Sequence, residues 1–219
     1  LGLTILVYPE AQHTRFQHAI SAMHLMQIAI KSLRAKEINI TREEEIGVLL
    51  AILLHDIGHG PFSHTLEHSI LNDVNHEILS SFLMHQINEK MNGQLTLAIQ
   101  IFENKYPRPF FHQLVSSQMD MDRLDYLRRD SFYTGVSEGT VGIERIIQML
   151  NVRENQLIID QKGIYSVEKF LMARRFMYWQ VYLHKASIAA DELLLNILKR
   201  AKVLVNSEKS LKVSPYLQF

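Results

Sequence analysis

Apolar side chains recur close to a helical period between residues 16 and 36: Phe16, Ile20, Met23, Leu25, Met26, Ile28, Ala29 and Leu33, with polar positions between them. The string Thr41-Arg42-Glu43-Glu44 is a capping box, in which Thr41 caps a helix and Glu44 reaches back to the cap amide. The helix it opens runs through Ile46 and the series Val48 to Leu54. That stretch is apolar nearly all round, so the helix is expected to be buried. It must stop near Gly58-His59-Gly60-Pro61, because two glycines and a proline break helical geometry.

Further helical patterns cover about 75–91, 94–104, 110–130 and 140–150. The segment Leu157 to Tyr165 predicts a small β-hairpin with Gly163 in its turn. Ser166 is expected to cap a long final helix that runs to about Val205. There is no internal repeat and no low-complexity linker. The fold class expected is therefore all-α: one multi-helix domain over residues 1–205 with a small hairpin near 157–165, and 206–219 beginning a C-terminal region. The missing initiator Met and the abrupt end at Pro215 to Phe219 suggest part of a longer chain.

Composition narrows the chemistry. Of 219 residues, 47% are hydrophobic and 21% charged, which is ordinary for a soluble globular protein. Lys+Arg and Asp+Glu are balanced at 23 each, so no global charge points to nucleic acid or an anionic membrane. No apolar run approaches the roughly 20 residues that span a bilayer. The start carries no secretory pattern either, and a cytoplasmic location is expected. The chain has no cysteine, which rules out disulfides, thiolate nucleophiles and Cys-ligated metal sites. Eleven histidines remain as the obvious metal-capable side chains.

His55-Asp56 ends the buried apolar helix. Polar groups placed there need partners, and a metal ion satisfies both at once. Two neighbouring helical residues point about 100° apart, so both reach one ion only where the helix ends. The bland alternative is that His55 and Asp56 hydrogen-bond each other and the loop, and the dipeptide alone does not choose. Upstream, Arg15 and His18 share a helix face, and an Arg beside a metal-ligating His suits a phosphate substrate. Downstream, His59 and His64 flank Pro61-Phe62-Ser63 near His55. Farther on, Asp122, Tyr126 and Asp130 lie on one helical stripe.

His18, then His55-Asp56, then a distant Asp resembles the ligand signature of the HD-domain phosphohydrolase superfamily. More narrowly, the strings Tyr8 to His18 and His55 to His64 are similar to the deoxynucleoside-triphosphate triphosphohydrolase, or dGTPase-like, branch. The similarity runs from about Leu1 to Ala201. The resemblance implies His18, His55, Asp56 and Asp122 as metal ligands, with Asp122 preferred over Asp120 and Asp125. The ion would be Mn²⁺, Fe²⁺, Mg²⁺ or Zn²⁺. It implies His76 as the catalytic His, and His59 and His64 as contacts to the phosphates or leaving oxygen, with Glu67 orienting His64. Arg15, Tyr126, Asp130, Arg174 and Tyr182 match substrate-binding positions. Arg123 stands where the family commonly has Lys, which keeps the charge but changes its hydrogen-bond geometry. His24, His68, His85, His112 and His184 match no ligand position.

The expected activity is hydrolysis of a dNTP to deoxynucleoside and inorganic triphosphate, with His64 or His76 protonating the leaving oxygen. The expected partners are that nucleotide and, by resemblance, further copies of the chain in a homo-oligomer. Two alternatives stay open: a phosphodiesterase or nucleotidase of the same superfamily, and a nucleotide-sensing module without turnover. The Gly-Tyr-Pro signature of the cyclic-dinucleotide class is not found.

Overall fold

Thr14 and Thr41 each close a capping box: the side chain accepts from the amide three residues on, while Gln17 or Glu44 reaches back. Such caps stabilise a helix by about 1 kcal/mol and fix its first residue. They open α1 (Arg15–Ala35) and α2 (Arg42–Leu54). The coordinates are a computed structural model and describe residues 1–62 and 75–207. His64 and Glu67 lie outside the described residues.

The remaining elements are α3 (His76–Lys90), α4 (Thr96–Phe102), α5 (Phe110–Val115), α6 (Met121–Thr134) and α7 (Ile143–Met149). A hairpin follows, of β1 (Leu150–Arg153) and β2 (Gln156–Ile159). Then come α8 (Ile164–Met177), a π-helical turn (Tyr178–Tyr182) and α9 (Lys185–Asn206). The all-α class with a minor hairpin is what the residue pattern anticipates.

The core is a set of matched stripes. On α1 the buried positions are His18, Ala22, Leu25, Met26, Ala29, Ile30 and Leu33, one face at helical spacing. On α2 they include Val48, Ala51 and Ile52, and α2 packs against α1 and α4. α6 also packs against α1 and buries Met121, Leu124 and Leu127. Phe110, Phe111 and Phe170 are the bulkiest fully buried side chains. No helix among the described residues is long and apolar enough to cross a membrane.

Four features differ from the sequence reading. The helix expected over 110–130 is interrupted at Ser116, where Asp120 takes the amides of Ser117 and Arg123 and so starts a new helix. The hairpin turns at Glu154-Asn155, both with positive φ, and pairs Leu150 with Ile159 in an antiparallel register. Gly163 is therefore not in that turn; it precedes α8, where an added Cβ would press on Ile159 and Met149. Ser166 caps nothing, since α8 already begins at Ile164. The final helix is two helices joined through the π turn, and His184 caps the second.

Gly58 ties the end of α2 to α3. Its amide donates to Ser80 Oγ at 2.9 Å, and a Cβ there would fall 2.4 Å from the His76 carbonyl oxygen and 2.3 Å from the Ser80 nitrogen. Backbone cannot yield as a flexible side chain can. Gly58→Ala is expected to destabilise the protein by about 1–3 kcal/mol, read as a lower midpoint in urea unfolding. An unchanged midpoint would mean that α3 does not seat on this glycine.

Candidate metal centre

α2 ends at Leu54, and His55 to Gly58 form a tight turn in which the Ile57 amide bonds Leu54 O and the His59 amide bonds Asp56 O. That turn rotates Asp56 toward the same space as His55. His18, one turn into α1, and Asp122, in the first turn of α6, complete the group. His18 Nε2 lies 3.0 Å from Asp122 Oδ1, and His55 Nε2 lies 3.3 Å from Asp56 Oδ1 and 3.5 Å from Asp122 Oδ1. Ligand atoms of His18, His55 and Asp56 all sit within 4.8 Å of one another.

These separations fit a coordination sphere. Ligands about 2.1 Å from a common ion, at angles between square and tetrahedral, stand about 3.0–3.4 Å apart. The other ring nitrogens are already committed. His18 Nδ1 meets Asp125 Oδ2 at 2.8 Å, and His55 Nδ1 meets Ile52 O at 2.6 Å. Each ring thereby turns its Nε2 into the group, the arrangement that orients metal-binding imidazoles. His55 Nε2 is buried, yet it makes a proper hydrogen bond to neither nearby carboxylate. An orphaned buried nitrogen facing two carboxylates is what a cation would satisfy. The group can hold a divalent metal ion, and its N/O ligands without thiolate suit several first-row ions or Mg²⁺.

Electrostatics says the same from the other side. Burial opposes the charged form of His18, but hydrogen bonds and charge from Asp122 and Asp125 outweigh it and push the imidazole up to about 10. His55 is raised too: burial again works against it, and Asp122 and Asp56 prevail. Burial disfavours the Asp122 carboxylate, but the two histidines hold it well below the usual range. Two carboxylates facing one imidazole nitrogen call for positive charge, supplied by protons or by a metal.

Arg15 Nη1 reaches Asp56 Oδ2 at 3.1 Å while half its side chain stays exposed. His59 Nε2 lies 3.5 Å from Asp56 Oδ1, and its ring stacks on His76 at 3.9 Å and 12°. His76 itself opens α3, which Asn75 caps. Arg123 turns elsewhere: its Nε meets Asp120 at 3.2 Å, and it lines a cavity of about 540 Å³ with His112 and Gln113. A neighbouring cavity of about 550 Å³, walled by Met119, Leu157, Ile159 and Val167, holds none of the metal-capable cluster.

A second polar group lies along α6. The Tyr182 hydroxyl donates to Asp130 Oδ2 at 2.8 Å. Arg174 lies beside Tyr126 and over the Tyr178 ring at 5.4 Å, while its Nε is buried without a partner. The π turn contributes Tyr178 and Tyr182 together, and π turns favour such sites because they re-aim side chains. The structure thus gathers His18, His55, Asp56, Asp122, Arg15 and His59, and separately Tyr126, Asp130, Arg174 and Tyr182. Two polar residues escaped the sequence reading. By sequence Asp125 is only a rival ligand, although it sits one helical turn beyond Asp122. It is fully buried and takes His18, Ser21 and Arg129 at once. His13 carried no signal beyond its place in the motif string.

Removing the charge of Asp125 should loosen His18 without removing a ligand. Asp125→Asn is expected to weaken metal affinity about 10–100-fold, measured by competition with a chelating dye, whereas Asp56→Ala should abolish stoichiometric loading. Equal loading in both variants and the parent would overturn the ligand set. The raised His18 value also fixes a sign. Its contribution to the stability of chelator-stripped protein is complete below the ordinary 6.5 and fades as pH climbs from there toward 10. Metal must displace that proton, so loading at neutral pH should release protons and tighten with rising pH, seen by calorimetry in buffers of different ionisation enthalpy.

Comparison with known proteins accords with this geometry. The HD domain model matches residues 15–129, just over half of the chain, and the HD associated region matches 141–212. A phosphohydrolase of Bacteroides thetaiotaomicron, solved by crystallography, superposes with a TM-score of 0.94 at 59% identity, covering 98% of this chain and 53% of that one. An uncharacterized protein of Bacillus subtilis is 36% identical over 93% of this chain and 48% of its own length. A deoxynucleoside triphosphate triphosphohydrolase, the SAMHD1 homolog of Dictyostelium discoideum, is 28% identical over 100% of this chain and 45% of its own. The chain spans about half the length of these relatives. On its family match and on the His/Asp cluster that the match covers, the chain belongs to the HD-domain family.

Proposed function

We propose that the protein is a metal-dependent phosphohydrolase that converts a dNTP to deoxynucleoside and inorganic triphosphate. The observation that carries this is the His18/His55/Asp56/Asp122 cluster with Arg15 hydrogen-bonded to Asp56 at its rim. A metal group edged by guanidinium matches a phosphoryl group, whose oxygens need both a Lewis acid and fixed hydrogen-bond donors. Support also comes from Arg174, whose buried Nε is a donor awaiting an acceptor. The relatives named for dNTP triphosphohydrolysis lend the choice of substrate.

HD domains bind divalent metal ions, and here His18, His55, Asp56 and Asp122 would hold one. When bound, it supplies Lewis acidity at a phosphoryl oxygen and acidifies water. The chain's own residues do the rest. Arg15 and Arg174 grip phosphate oxygens, and Arg123 is the third cation that the resemblance assigns to them. Water oxygen bonds to the α-phosphorus as the bond to the 5′-oxygen breaks, and the proton the water sheds passes to solvent, from which His76 is reprotonated. His76, stacked on His59, gives the proton that the departing oxygen needs, a role for which His64 is the other candidate. Tyr126, Asp130 and Tyr182 take the nucleoside end. By the same resemblance, residues 1–205 form the HD unit and the protein works as a homo-oligomer.

One assay tests the reading: incubation of purified protein with Mn²⁺ and each dNTP, NTP or model diester, followed by chromatography. Inorganic triphosphate and deoxynucleoside are expected. Monophosphate or phosphate release would instead make it a nucleotidase or phosphodiesterase, and binding without products would make it a sensor. Arg15→Ala and Arg174→Ala should each lower kcat/KM by about tenfold or more, the loss of a charge-assisted hydrogen bond.

A further inference from the structure

Residues 7–14 precede α1 and form no helix or strand, yet they reach both sides of the second polar group. The Tyr8 hydroxyl donates to the carbonyl of Gln180, inside the π turn, at 2.7 Å. His13 Nε2 lies 2.8 Å from Asp130 Oδ1, while Tyr182 from that same π turn donates to Asp130 Oδ2 at the same distance. Each carboxylate oxygen of Asp130 therefore takes one donor, from opposite partners. The side chains of His13 and Asp130 are only 7% and 9% exposed. The His13 ring lies against Tyr133, 4.7 Å between centroids and 24° from parallel.

An ionised carboxylate only accepts, so His13 Nε2 must carry the hydrogen of this bond. The other ring nitrogen, Nδ1, is buried with no partner. A histidine kept for packing alone would have both nitrogens satisfied or would be replaced by an apolar ring, because orphaned buried polar atoms are rare. This ring makes one polar contact, to Asp130, and tolerates an orphan to make it. Rotation of a carboxylate about its last torsion is soft. Two donors, one per oxygen, fix its plane and so the direction of the lone pairs left over.

We infer that His13 is a positioning residue, which holds the Asp130 carboxylate at the angle where it meets the nucleoside end of the substrate. This rests on the reading of Asp130 as a substrate contact. Capping of α1 by Thr14 places His13 just outside the helix, and the Tyr8 bond moors the segment at its other end. The strap thereby sets Asp130 and the π turn with respect to each other.

His13→Phe keeps the ring against Tyr133 and removes the donor; His13→Gln returns an N–H near the place of Nε2. For the dNTP that the wild type cleaves best, His13→Phe should raise KM about tenfold while kcat and metal loading are largely kept. His13→Gln should recover most of the loss. In an Asp130→Asn background the Phe substitution should add less than about twofold, because its effect passes through Asp130. A KM unchanged in His13→Phe, or losses that multiply across the two positions, would overturn the inference. ¹⁵N NMR of the imidazole rings reads the hold without turnover: a hydrogen on His13 Nε2 whose shift moves in Asp130→Asn supports it, and a ring protonated on Nδ1 alone overturns it. A wild type that cleaves no nucleotide would sink the proposed substrate, while this spectrum would still decide the hold.

Discussion

α2 and α6 each bury an apolar stripe against α1, and toward one end of the bundle each of the three stripes contains a residue that cannot be buried alone. On α1 the stripe of Ala22, Leu25, Met26 and Ala29 begins with His18; on α2 Val48, Ala51 and Ile52 lead to His55; on α6 Met121 and Leu124 are followed by Asp125. The packing that makes the core also brings Asp56 and Asp122 within 3.5 Å of one imidazole nitrogen. Two carboxylates that share one neighbour repel each other, and the low dielectric of the interior strengthens that repulsion. Cationic charge among the carboxylates, on the histidines or on an ion, therefore stabilises the cluster. Asp125 behind His18 and the Ile52 carbonyl behind His55 follow from the same need, since they aim both Nε2 atoms at that charge.

The same helix carries the balance outward. Asp122, Tyr126 and Asp130 are four residues apart on α6, so the stripe extends about 12 Å from the metal group. At its far end the partners are no longer core helices but the strap before α1 and the π turn after α8. A regular helix through 164–205 would have run past Asp130. The π turn instead offers Tyr178 to Arg174 and Tyr182 to Asp130. Rigid helices position the charged centre, and irregular backbone shapes the wall that faces the rest of a ligand.

Much of this was legible in the residue pattern, for identifiable reasons. Thr41 with Glu44 and the apolar run to Leu54 fixed α2, and the glycines after His55 marked its end. His18 and Asp122 were visible because helical spacing and motif strings both pointed to them. The break at Ser116 was hidden because Ser and Gln sit passably in a helix, and only the Asp120 cap, with its two amide bonds, makes the interruption preferable. The hairpin slipped because Gly163 looked like a turn and Glu154-Asn155 did not, although Asn readily takes positive φ. The π turn depends on Tyr8 and Asp130, distant in sequence, so no local pattern could announce it. Asp125 and His13 act through other side chains, and such roles exist only once the helices are packed.

The buried polar atoms left without partners then become informative. Among the described residues they are His55 Nε2, His13 Nδ1, Arg174 Nε and Ser187 Oγ. Folded proteins satisfy nearly all such groups, since each orphan costs about 1–3 kcal/mol. Random imperfections would scatter over the core, yet the core of α1, α2 and α4 contributes only His55. Three of the four belong to the two polar groups that share the α6 stripe. One is a lone pair facing carboxylates, one a ring held for its opposite nitrogen, and one a guanidinium donor. Stability alone would have favoured apolar residues at these places, as it does for buried charge in general. Three orphans placed along one stripe mark it as the part of the described structure where unsatisfied polar groups concentrate, from the His/Asp cluster to the wall formed by Arg174 and Asp130.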